Sequence, residues 1–297
     1  MSYERRSVVL STAVRIERAA QLLPILTDFM EAAFRTRYER FLRARVPKAT
    51  KIFARMFRVQ RHTLMLALGR AGRVYKEAYG DVRPQWLIDN FNWDYALDLA
   101  DEAALTDSLR AFREEIAMAM AAGGTQTLWE FGSPLGLIFD LANPRAVRYL
   151  AMHGGELITE INETTRKICH RLIEQGMREG WSYDVLAKAL TGIYEEFAVG
   201  KPQLHIRSRA HLIAVTEMAN AYQEGSFQQG LRLEELGLQM EKAWVTSNDD
   251  RVSEGCADNQ SAGYIPLLAE FPSGHLRPPR FPGCRCYLQQ QRVVTPE

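Results

Sequence analysis

Two strand-like runs near the carboxyl end, residues 239–246 and 285–294, are separated by about forty loop residues. A loop of that length in a compact domain needs something to pin it. This one carries Cys256, and it closes on Pro282-Gly283-Cys284-Arg285-Cys286. The cysteines are the obvious pins. Ahead of this block lie about 190 residues whose apolar positions recur at helical spacing. The spacing predicts a mainly α chain: a long helical body, then a small C-terminal α+β module with a long loop between two short strands. The boundaries expected are a basic helical region at 1–124, a linker or loop at 125–142, a helical body at 143–236 and the small module at 237–297.

Within the body, Leu22, Leu26, Met30, Phe34 and Tyr38 recur every four residues, which predicts a helix over about 11–45. Pro24 predicts a break or kink near its start. Pro47 is placed to open a second helix. On that helix Lys48, Lys51, Arg55, Arg58 and Arg61 fall three or four residues apart, so five cations share one face. Ile52, Phe53, Met56 and Val59 cover much of the other side. Residues 80–93 read as irregular and aromatic-rich, and 94–120 as helix. Ala121-Ala122-Gly123-Gly124-Thr125 is expected to end it, with a loop to 142.

Asn143-Pro144 then forms a cap and first turn, and Leu157, Ile161, Ile168 and Leu172 mark one apolar face. Inside this helix Cys169 reads as a small buried hydrophobe and His170 as a surface residue. Ser182 is placed to cap a helix to about Phe197, Gly200-Lys201-Pro202 to turn, and a further helix to run from about Ile206 to Leu231. Trp244, in the first strand, is expected to pack on the helices.

Charge is unevenly spread. Residues 35–76 hold thirteen Lys/Arg against one acid, a net of +12, so the rest of the chain carries −11 of the total of +1. A face of one sign points to an anionic partner, double-stranded DNA or an acidic protein surface, since ordinary solvated faces mix signs. The alternative is a solvated helix face. No apolar run approaches the length of a membrane span, and no leader segment is evident. The chain is therefore expected in the cytoplasm, without a membrane partner, and its four cysteines as thiols or metal ligands rather than disulfides.

A structural zinc takes four Cys or His ligands. Cys256, Cys284 and Cys286 supply three, and His275 lies in the same loop as a candidate fourth. The alternative is three reduced thiols, with the loop ordered by Trp244, Phe271, Tyr287 and hydrogen bonds. Asp250 and Arg251 are expected to fix the turn after the first strand. No nucleotide-binding loop, nucleophile elbow or His-Glu-x-x-His occurs. No catalytic constellation is assigned.

The order of motifs resembles the phage Mu F-like minor head, or head morphogenesis, proteins. It runs Ala214-Val215-Thr216-Glu217, then Gly225, Trp244-Val245-Thr246, Asp249-Asp250-Arg251-Val252, and Cys284-Arg285-Cys286. The helical stretch with Ile161-Asn162-Glu163-Thr164-Thr165 and Glu179-Gly180-Trp181-Ser182 extends the resemblance to about 140–290. Two positions depart from the family's pattern: Ser253 stands where a first Cys is frequent, and Phe281 where a His is frequent.

The resemblance implies a non-enzymatic virion assembly protein. It would bind the portal vertex during procapsid assembly, act in the host cytoplasm and end in the head. The portal protein is the implied partner, with scaffold, major capsid protein or packaged DNA as further contacts. Thr216 and Glu217 are expected to join helix to module by hydrogen bonds, with Trp244, Thr246, Asp250 and Arg251 as the module's own motif. Two readings compete with it, a metal-dependent nuclease using His275 or Asp250 and a helical DNA-binding protein unrelated to heads.

Overall fold

The computed structural model describes residues 3–79, 91–130, 139–179, 181, 183–199 and 208–293. The chain divides into two compact units, Met1–Phe41 and Leu42–Glu297. The irregular stretch expected before Trp93, the Phe131–Gly136 part of the linker, the Ser182 cap and the Gly200-Lys201-Pro202 turn lie largely outside the described residues. So do the side chains of Leu22, Leu26, Met30, Phe34 and Leu157.

The fold is mainly α with a small C-terminal sheet. Helix α1 spans Tyr3–Tyr79, α2 Trp93–Glu130, α3 Pro144–Glu179, α4 Tyr183–Val199 and α5 Arg209–Glu235. Strand β1 is Met240–Val245, followed by the short helix α6 (Glu254–Ser261), the two-residue strand β2 (Ile265–Pro266) and β3 (Tyr287–Arg292). The sheet is antiparallel in the order β2-β1-β3, with Trp244 opposite Leu288 and Lys242 between Ile265 and Gln290. The long connection between β1 and β3 is thus partly folded.

Pro47 does not open a helix: α1 runs through it and through Pro24. A mid-helix proline removes one backbone donor. Pro47 is exposed, so the carbonyl left without a partner can face water, while Val46, Ala49 and Phe53 beside it are buried and hold the helix in place. Phe53 packs edge-on against Phe112 of α2 at 5.0 Å between ring centres. Gln60 is buried on the same side and donates to Asp101 of α2 and Asn162 of α3 at 2.8 and 2.9 Å.

Gly123 and Gly124 do not end α2, which continues to Glu130. They are small because α5 crosses there. A Cβ on Gly123 would stand 1.8 Å from the Tyr222 carbonyl oxygen, and one on Gly225 of α5 would stand 1.9 Å from that of Met120. Close backbone approach, rather than a turn, is what the glycines provide. Thr127 and Ser226 meet hydroxyl to hydroxyl at 2.8 Å in this contact.

Helix ends follow local chemistry, at Asn143 as the sequence predicts and elsewhere at positions it did not single out. The Asn143 Oδ1 accepts from the Arg145 amide at 3.0 Å, an N-cap with Pro144 next. Ser208 caps α5 by accepting from the His211 amide at 3.1 Å. At its other end Gly237 has φ +87°, and Gly237 N and Leu238 N donate to the carbonyls of Glu234 and Leu233. That is a Schellman ending, which releases the chain into β1. Cys169 is fully buried, its thiol pushed up to about 11 by burial, and His170 at the boundary faces Asp94 at 3.3 Å.

Candidate functional site

Cys256 lies in the first turn of α6, and Cys284 and Cys286 lie in the chain leading into β3. Their sulfurs lie within 4.8 Å of one another, and all three residues are buried. They belong to a core that includes Leu128, Phe227, Trp244, Phe271 and Leu288. The loop reaches α5 through Gly283, whose φ is +82° and whose amide donates to the Thr216 hydroxyl at 3.0 Å.

Burial and mutual proximity set the charge of this trio. A hydrogen bond from Cys286 holds Cys284 below the ordinary thiol range, at about 6. Cys286, which gives that hydrogen bond and is itself buried, is pushed up, and burial raises Cys256. Burial and mutual repulsion therefore oppose ionising all three thiols together. Full ionisation needs a cation among them.

The geometry fits one. Tetrahedral zinc with bonds of about 2.3 Å sets its sulfurs roughly 3.8 Å apart. The Cys256 and Cys284 sulfurs are 3.9 Å apart. The indole N–H of Trp244 is buried without a hydrogen-bond partner, a donor left over beside the strand that follows Cys286.

His275 stands apart from this trio. Its Nδ1 faces the hydroxyl and carbonyl oxygens of Ser273 at 3.0 and 2.9 Å, and its own carbonyl accepts from the Phe271 amide. Ser273 is tied in turn to buried Asn259 of α6, donating its amide to Oδ1 at 3.0 Å and accepting from Nδ2 at 2.8 Å. His275 thus closes the loop on α6.

The turn after β1 is fixed by Asp249, a residue the sequence pattern did not single out from Asp250. Its carboxylate accepts from the Arg251 amide at 3.1 Å, the Arg251 guanidinium at 3.2 Å and the Arg285 guanidinium at 2.6 Å. The Arg285 hydrogen bond holds this carboxyl down at about 2. Asp250 is 94% exposed and 4.0 Å from Arg251 Nε. The i to i+2 bond to an amide is what an Asx turn needs, and Asp249 has the right offset. Thr246 binds the Gln260 side-chain oxygen of α6 through its amide and hydroxyl, at 2.8 and 2.7 Å. Trp244 is buried edge-on to Phe271 at 5.3 Å. Glu217 is buried in α5.

Two further anchors carry no sequence signature. Arg277 donates from Nε to Glu224 at 2.7 Å and from Nη1 to Asn220 at 2.6 Å, both on α5. Lys242 is fully buried between the rings of Phe227 and Phe271, 5.1 and 5.2 Å away, and donates to the Leu276 carbonyl at 2.6 Å. Burial, then the neighbouring Arg277, lowers its ammonium to about 8.

On α1 the cations Lys48, Lys51, Arg55 and Arg58 are exposed and Arg61 is half-buried, while Phe53, Met56 and Phe57 are buried on the opposite side. No helix among the described residues is long and apolar enough to cross a membrane.

Residues 167–289 match the family described as Phage Mu protein F like protein. That span takes in α4, α5, β1, α6, β2 and the cysteine trio. No curated protein and no solved structure matches the chain.

Proposed function

We propose that this chain, a phage Mu F-like protein over residues 167–289, is a non-enzymatic minor head protein that binds the portal vertex while the procapsid assembles in the host cytoplasm. It stays in the virion near that vertex. The observation that carries the reading is the family match, which covers the part of the chain whose loop is pinned most heavily. A rigid module of this kind serves docking, because ordering its loop costs nothing further when a partner binds. Tagged full-length chain, recovered from a lysate of the phage that encodes it, should bring down the portal protein as its main companion. Recovery of DNA fragments alone would contradict the assembly role.

The second part of the reading concerns α1. Its face of Lys48, Lys51, Arg55, Arg58 and Arg61 contacts packaged DNA through phosphates. Lys51→Glu, Arg55→Glu and Arg58→Glu together should abolish duplex binding at low salt. Milder Ala replacements at these three positions should flatten the log–log salt dependence by about 2–3, roughly 0.9 per phosphate contact. Fluorescence titration against an unrelated duplex reads both. Unchanged binding in the triple Glu variant would remove DNA from the account.

The third part concerns the trio. Cys256, Cys284 and Cys286 hold a structural zinc, whose contribution is to fix α6, the long loop and β3 at one point. Protein purified without chelator should contain about one zinc equivalent, and Cys284→Ser should lose it together with much thermal stability, because metal binding is coupled to folding. Zinc far below one equivalent would favour three reduced thiols.

A further inference from the structure

We infer that the metal held by Cys256, Cys284 and Cys286 keeps one coordination position open to a small exogenous ligand. The inference rests on the zinc reading above and concerns what completes the site. Among the described residues no other Cys, His, Asp or Glu joins the three sulfurs. His275 is engaged with Ser273, and Asp249 with two arginines.

What borders the trio instead is a cavity of about 50 Å³, lined by all three cysteines together with Ser253, Arg251, Arg285 and Phe281. That volume takes one water or a small anion, a water's share of the liquid being about 30 Å³. Arg251 and Phe281 are exposed, so the cavity reaches solvent. Three thiolates on a divalent cation leave a net charge of about −1, which the guanidinium groups on the cavity wall offset. Closed structural zinc sites have four protein ligands, whereas three ligands and a water mark an open one.

Ser253 lines the same cavity. It is the N-cap of α6 yet makes no capping hydrogen bond with its side chain. Its hydroxyl instead interacts with the Cys256 thiol and accepts from Arg280 at 3.4 Å. A cysteine at 253 would stand three residues before Cys256, the Cys-x-x-Cys spacing that chelates one metal.

The test is cobalt(II) substitution in the full chain, with azide as the exogenous probe. In the wild-type chain the cobalt d–d bands should shift saturably as azide is added. In Ser253→Cys the sulfur-to-cobalt charge-transfer absorbance should rise by about a third, one thiolate added to three, and the azide response should vanish. A wild-type spectrum indifferent to azide while cobalt is bound stoichiometrically overturns the open position and leaves the metal reading intact. Failure of the chain to bind cobalt or zinc overturns the metal reading and this inference with it. Should Ser253→Cys not fold, the wild-type azide titration still decides.

Discussion

Gly225→Ala is expected to lower the melting temperature of the chain by roughly 10 °C, because one added methyl group overpacks a close helix crossing. The new Cβ would lie 1.9 Å from the Met120 carbonyl oxygen and 2.6 Å from its carbon. Both are backbone atoms of α2, so no side chain can turn away to make room. The helices must separate, and the separation is felt across the buried polar seam between them. Thr127 and Ser226 would part, and Gln290 of β3, which donates to the Ser226 carbonyl and hydroxyl at 2.8 Å each, would lose its hold on α5. Overpacking of this kind costs about 3 kcal/mol or more. Gly192→Ala in α4 is the matched control. Nothing lies within 4 Å of its Cβ position, and a helical glycine replaced by alanine gains up to about 1 kcal/mol. Thermal melts followed by circular dichroism should show the first variant falling and the second unchanged or raised. Equal melting for the two would mean that the α2–α5 crossing is not as close as described.

Arg277→Ala is expected to destabilise the module by about 3–5 kcal/mol, the usual consequence of removing one partner of a buried ion pair. The Arg277 and Glu224 side chains are only 17% and 12% exposed. Without the guanidinium, Glu224 is left as a buried charge and Asn220 loses its donor. Arg277→Lys should rescue little, because Nε and Nη2 both reach Glu224 while Nη1 serves Asn220 and the Pro278 carbonyl. One ammonium cannot fill that fork. Glu224→Gln added to Arg277→Ala should recover part of the loss, and a double-mutant cycle measures how much. Additive single effects in urea unfolding would contradict the pairing.

These two expectations mark where local sequence rules stop. The strands were legible because alternation changes after Gly237: runs at 239–246 and 285–294 correspond to Met240–Val245 and Tyr287–Arg292. The start of α3 was legible from Asn143-Pro144, since a cap acts on its own neighbours. The gathering of Cys256, Cys284 and Cys286 followed from the need to pin a long loop. Gly123-Gly124 misled because a glycine pair that ends a helix and one that admits a crossing helix look alike along the chain. Only the position of Gly225, about a hundred residues on, separates the two. Pro47 misled for the same reason, its missing hydrogen bond being outweighed by burial of Val46, Ala49 and Phe53. Arg277, Glu224 and Lys242 gave no signal, because one arginine in a proline-rich loop does not announce its partner on a distant helix. Asp249 was within the quoted turn, but its adjacent twin Asp250 drew the assignment. The offset to the Arg251 amide would have separated them.

The most direct test of the assembly role is the protein content of procapsids purified from cells producing the phage that encodes this chain. Quantitative mass spectrometry should find it in them before DNA is packaged, at a copy number close to that of the portal protein and far below that of the major capsid protein. Its absence from those particles, while abundant in the same lysate, would contradict the account.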